Sequence, residues 1–133
     1  MITPKLTAIV GTQDIIVSFK VVGWDATADL KDFTVRVEGG GTITQILKKG
    51  KGADDVECLG EVTPEGAYFY ICNRWNNNNM LVNWGEDYAE RSFVVEGATA
   101  ETQIYFVGDG SYNARAFTGN SRFGFDDVLI VLK

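Results

Sequence analysis

Apolar and polar residues alternate along most of the chain, the period-two pattern of half-buried β-strands. From Asp14 onward, Ile15, Val17, Phe19 and Val21 fall on one face and Ser18, Lys20 and Trp24 on the other. Phe33, Val35 and Val37 repeat the pattern against outward Thr34, Arg36 and Glu38, until Gly39-Gly40-Gly41 breaks the run. Phe93 and Val95 resume it, Gly97 is expected to turn the chain, and Ile104 and Phe106 carry it on. Shorter candidate strands cover Leu6 to Val10, Thr42 to Leu47, Val56 to Val62, Ala67 to Cys72 and Met80 to Trp84, and the last runs from Arg122 to Leu132. After Asp127 that last strand carries apolar residues on both faces, which predicts a central or interlayer position.

No segment has a helical stripe; Thr27 to Asp32 and Asp87 to Arg91 each suffice for one turn. With 15 glycines and 2 prolines, turns recur at short intervals. About nine short strands punctuated in this way predict an all-β, two-sheet antiparallel sandwich. A jelly roll is the expected topology, because two packed sheets shelter strand edges. In the rival immunoglobulin-like sandwich, the inter-sheet disulfide spans far more chain than separates Cys58 from Cys72.

The length of 133 residues fits a single β-sandwich domain over 1–133, possible also as a domain excised from a larger protein. A net charge of −6 with 12 basic residues argues against nucleic acid as a partner, since phosphate recognition draws on clustered Lys and Arg. The small cluster Lys48-Lys49-Gly50-Lys51 runs straight into Asp54-Asp55 and reads as a solvated turn. No apolar run approaches the roughly 18 residues of a membrane span, so insertion into a bilayer is not expected. The sequence contains no histidine, which removes Ser-His-Asp and Cys-His catalysis and the usual catalytic zinc sites. Carboxylate pairs for glycoside cleavage are the sharpest enzymatic option left, with Asp54, Asp55 and Glu57 or Glu86 and Asp87 as candidates. Their spacing does not favour the cleft geometry such chemistry needs over charged turns, and the chain is expected not to be an enzyme. Cys58 and Cys72 leave two readings open, a disulfide or two buried thiols.

The segments "TPKLTAIVGTQDIIVSFKVVGWD", "FTVRVEGGGTI", "RSFVVEGATAETQIYFVG" and "SRFGFDDVLIVLK" together resemble the galactose-binding-like jelly-roll domains of secreted and surface proteins in Bacteroidetes. The most specific part is the ending, similar to that group's "RFxxDDVxV" strand, here Arg122, Phe123, Asp126, Asp127, Val128 and Ile130 with Val131 following. The resemblance covers the beginning and end of the chain and implies an extracytoplasmic, carbohydrate-binding module. It also implies a structural calcium near the final strand, with Asp126 and Asp127 as ligands and Asp25 or Asp29 as partners, oxygen donors suited to a hard cation. The competing reading has one aspartate accepting a backbone N–H at a bulge and the other solvated.

Trp24, Trp75, Trp84, Tyr88 and Tyr112 fall at strand ends or in loops, whereas Phe19, Phe33, Phe93, Phe106, Phe123 and Phe125 follow the apolar faces. A flat ring beside amides and a guanidinium is what a pyranose needs, stacking for its C–H face and paired hydrogen bonds for its hydroxyls. Trp24 and Trp84 are expected to pack inward. "RWNNNNMLVNWGEDY" supplies Arg74, Trp75, Asn77 and Tyr88, and the loop before the last strand supplies Tyr112, Asn113 and Arg115. In the domains this chain resembles, loops at one sandwich end form the ligand site, so these seven residues are the candidate glycan-binding set. The alternative function is a structural or protein-interaction module that docks neighbouring domains of a surface protein.

Overall fold

A computed structural model describes residues 1–23, 32–72, 85–108 and 123–133. Its longest strand, β1 (Gln13–Gly23), buries Ile15, Val17, Phe19 and Val21 as the alternation requires. The other strands are β2 (Asp32–Glu38), β3 (Thr42–Lys48), β4 (Gly60–Thr63), β5 (Gly66–Tyr70), β6 (Glu90–Ala98), β7 (Gln103–Val107) and β8 (Phe123–Leu132). The only helices among the described residues are a 3-10 turn at Ala53–Asp55 and one turn, α1, at Glu86–Ala89.

The described strands form two four-stranded antiparallel sheets, β3-β6-β1-β8 and β4-β5-β2-β7. The pairing is nested: the first strand pairs with the last, the second with the seventh, the third with the sixth and the fourth with the fifth. Further β1–β6 and β2–β5 ladders join these pairs into the sheets. The inner faces meet around Phe19, whose ring makes edge contacts with Phe33, Phe69, Phe93 and Phe106 and stacks on Phe125 at 5.1 Å. Such offset and edge-on arrangements match the ring quadrupoles and add to the area they bury.

One end of the sandwich is closed by interlocking turns. Gly39, Gly40 and Gly41 all have positive φ, and a Cβ on Gly39 would lie 2.0 Å from the Glu101 carbonyl oxygen, so a side chain there is excluded. Thr99 and Thr102 fasten this turn by donating from their hydroxyls to the Gly39 and Gly40 carbonyls at 2.9 and 2.8 Å.

Four local expectations are corrected. Leu6 to Val10 is not a strand: Ile9 N–H donates to Leu6 O at 2.9 Å, and the turn lays Leu6 and Ile9 against the core. Gly97 does not turn the chain but sits inside β6 at φ 72, where the β1–β6 register slips, and its N–H donates to Asp14 Oδ1 at 3.0 Å. Of Val56 to Val62, only the part from Gly60 onward is strand. The last strand is neither central nor wedged among the described strands: β8 is the edge of its sheet, with Leu129 58% and Leu132 65% exposed. Met80 to Trp84 and most of Thr27 to Asp32 lie outside the described residues, while Asp32 itself begins β2.

Candidate functional site

Several strands start or finish at the end of the sandwich opposite the glycine turn. Gly23 pairs with Phe123, Asp32 with Tyr70 and Thr34 with Val107, so β1, β5 and β7 finish, and β2 and β8 begin, at the same end. These residues, with Cys72, Gly85 and Gly108, flank the segments 24–31, 73–84 and 109–122. Those segments carry Arg74, Trp75, Asn77, Tyr112, Asn113 and Arg115, together with Trp24 and Trp84, and lie outside the described residues.

Tyr88 is the member of the predicted set whose surroundings are described. It is half-buried on α1, its hydroxyl donates to Asp55 Oδ1 in the 3-10 turn, and its carbonyl accepts from Lys51 N at 3.3 Å and Arg91 Nη1 at 2.8 Å. The hydrogen bond to Asp55 raises the phenol pKa above its ordinary 10.0, and burial and the Asp55 charge push the same way. Tyr88 thus ties α1 to the Ala53–Asp55 turn. Asp54 and Asp55 both have positive φ, which short polar side chains tolerate.

Beneath Tyr88 lies Arg91, fully buried at the start of β6. Nη1 donates to the Tyr88 and Ala89 carbonyls, both at 2.8 Å, and Nη2 reaches Cys58 Sγ at 3.5 Å. Desolvation lowers the guanidinium pKa to about 10. Cys58 is joined to Cys72 in a disulfide with Cα atoms 5.4 Å apart, so the disulfide reading of the two cysteines holds. The Lys48-Lys49 cluster spends its charge on neighbours, Glu90 at 2.8 Å and Glu57 at 3.9 Å.

A second surface was missed by reading loops alone. On the outer face of β4-β5-β2-β7, Glu61, Tyr68, Thr34 and Val107 form one cross-strand row, flanked by Tyr70 beside Asp32 and by Arg36 beside Tyr105. The Arg36 guanidinium lies 5.9 Å from the Tyr105 ring centroid. The face is closed at Asp32 and Tyr68, 2% and 5% exposed, and opens at Tyr70, Tyr105 and Arg36. The signal was present in the alternation, since inward Ala67 and Phe69 force Tyr68 and Tyr70 outward, and Ile104 and Phe106 do the same to Tyr105.

The outer face of the other sheet carries a charged row. Glu90 and Asp126 lie opposite Lys20 on its two sides. Lys20 Nζ donates to Asp127 Oδ2 and Lys48 Nζ to Glu90 Oε2, at 2.9 and 2.8 Å. A groove of about 580 Å³ runs between these pairs over Ser18 and Leu129. Asp126 and Asp127 sit where the β1–β8 register slips; Asp127 has φ 53, and its N–H donates to Asp126 Oδ1 at 2.8 Å. Asp126 thus accepts a backbone N–H at a bulge, as the competing reading expects, whereas Asp127, expected to be solvated, is paired with Lys20. No group of three or more potential metal ligands occurs among the described residues, and Asp25 and Asp29 lie outside them.

Among the described residues, no helix is long and apolar enough to cross a membrane. No family model matches the chain, and neither a curated protein nor a solved structure matches it.

Proposed function

We propose that this chain is a non-catalytic, extracytoplasmic module with a jelly-roll topology that binds glycan weakly at the end of the sandwich bearing Tyr88. One observation carries the reading: the strand ends flanking 73–84 and 109–122, the segments with Arg74, Trp75, Asn77, Tyr112, Asn113 and Arg115, converge at that end. A rigid sandwich presenting ligand groups from adjacent connections is a common binding arrangement. The nested strand pairing supports the jelly roll, and the Cys58–Cys72 disulfide supports an oxidising compartment. Stacking on rings and hydrogen bonding by amides and guanidinium would hold the sugar, with no bond broken.

The test is a glycan array followed by calorimetry on the hits. Trp75→Ala and Tyr112→Ala are expected to weaken binding at least ten-fold, with Tyr105→Ala asking whether the tyrosine face extends the site. Absence of binding across a broad plant and host glycan panel by the folded chain overturns the reading.

A further inference from the structure

We infer that β8 is an association edge, on which a second copy of this chain pairs antiparallel, β8 to β8, across a two-fold axis at Ile130. The four edges of the described sheets differ in how they are protected. Exposed backbone edges invite pairing, and folded proteins blunt them by covering, shortening, charging or bulging. The β7 edge is covered: Thr3 and Leu6 N–H groups donate to Ile104 and Thr102 carbonyls, and Phe106 N–H donates to Met1 O. The β4 edge is four residues long and carries Glu61. The β3 edge slips register twice against β6 and ends in lysine. After its bulge at Asp127, β8 shows no further register slip against β1 and, among the described residues, no strand hydrogen-bonded to its outer edge. Lys5 to Ile9 line a pocket with Ile130, Val131 and Leu132 without pairing to them, and the one charge beyond the bulge is Lys133. The β8 edge presents Val128, Leu129, Val131 and Leu132 at 38%, 58%, 43% and 65% exposure, and its described strand partner is β1 alone.

Why a second copy, and in which register? In an extended sheet, opposed residues must share a face, so a one-residue slip would turn outward Leu129 toward the core side. Ile130 faces inward opposite Val17, while Leu129 and Val131 face outward opposite Ser18 and Ile16. With Ile130 on the axis, Leu129 opposes Val131 of the second copy and Val128 opposes Leu132, while Asp127, at the bulge just beyond the ladder and paired with Lys20 in its own chain, comes opposite Lys133. By symmetry the carboxylate and ammonium meet at both ends of the ladder. Moving the axis to Val131 sets Leu129 against Lys133, and moving it to Leu129 sets Asp127 against Val131. The Ile130 register alone matches apolar with apolar and charge with countercharge.

A ladder this short buries less than the roughly 800 Å² per partner of a standard interface, so the dimer is weak. Sedimentation velocity on the full chain, from about 10 μM to about 1 mM, should show a reversible monomer–dimer equilibrium, the range such an interface implies. Leu129→Lys is expected to raise the dimer dissociation constant at least ten-fold. Lys133→Glu, at an exposed position that leaves the core untouched, is expected to weaken the dimer several-fold. Chains with Leu129→Cys mixed with chains with Val131→Cys should cross-link more than either does alone. A chain that stays monomeric throughout, or a dimer indifferent to both Leu129→Lys and Lys133→Glu, overturns the proposal; the latter would place the contact on another surface.

Discussion

A Cβ placed on Gly50 would lie 1.8 Å from Nη1 of buried Arg91, and Gly50 itself has φ 72. The glycine is required twice, by its backbone conformation and by the guanidinium packed against it. Gly50→Ala should therefore lose about 3 kcal/mol or more in urea unfolding, adding a displaced buried charge to the left-handed backbone cost of about 1–2 kcal/mol. Gly11 supplies the control, with φ 68 and no atom within 4 Å of its would-be Cβ. Gly11→Ala should lose the backbone cost alone, and equal losses at the two sites would sink this account of Arg91.

The Cys58–Cys72 disulfide closes a loop with a sequence separation of 14 and lies against Arg91 at the same end. Replacing both cysteines by alanine should cost about 3 kcal/mol, mainly through a less constrained unfolded chain. Reduced wild type and the double variant should then unfold at similar denaturant concentrations. If reduction changes nothing, the bond is not contributing.

These two cases show where the sequence was and was not legible. The alternation of Ile15, Val17 and Phe19 was enough to predict β1 and its buried face, because burial on one side imposes period two directly. β8 misled for the converse reason: Val128, Leu129, Val131 and Leu132 look like a strand covered on both faces, and nothing local distinguishes that from an exposed apolar edge. Strand order depends on pairings made across the whole chain. Leu6 and Ile9 reach the core three residues apart from a turn, which alternation cannot separate from a short strand. Arg91 carried no local sign of burial, since its shell comes from Gly50, Cys58 and Tyr88.

Asp127 offers a decision about metal. It combines φ 53 with a partly exposed ion pair to Lys20, whose worth is at most about 1 kcal/mol. Asp127→Asn, which tolerates the same backbone, should change stability by less than about 1 kcal/mol, whereas Asp127→Val should cost about 2 kcal/mol. Calcium at millimolar concentration is expected to leave the wild-type Tm unchanged. A calcium-dependent rise in Tm that disappears in Asp127→Asn would restore the calcium reading, because a ion bound only by the folded state must stabilise it.

Tyr88 and Asp55 set a pH dependence whose sign is determined. The phenol pKa is raised in the folded state, so above 10.0 the unfolded chain releases its proton first. Stability contributed by the hydrogen bond is therefore fully present below pH 10 and is lost as pH climbs through the higher folded value. The stability difference between wild type and Tyr88→Phe should be flat from pH 7 to 9 and shrink beyond 10. In Asp55→Asn, which keeps an acceptor and removes the charge, the Tyr88 phenol should titrate closer to its ordinary value. An unshifted Tyr88 titration in wild type, followed by absorbance against the Tyr88→Phe variant, would show that the contact to Asp55 does not persist in solution and would free the Tyr88 hydroxyl for the proposed glycan site.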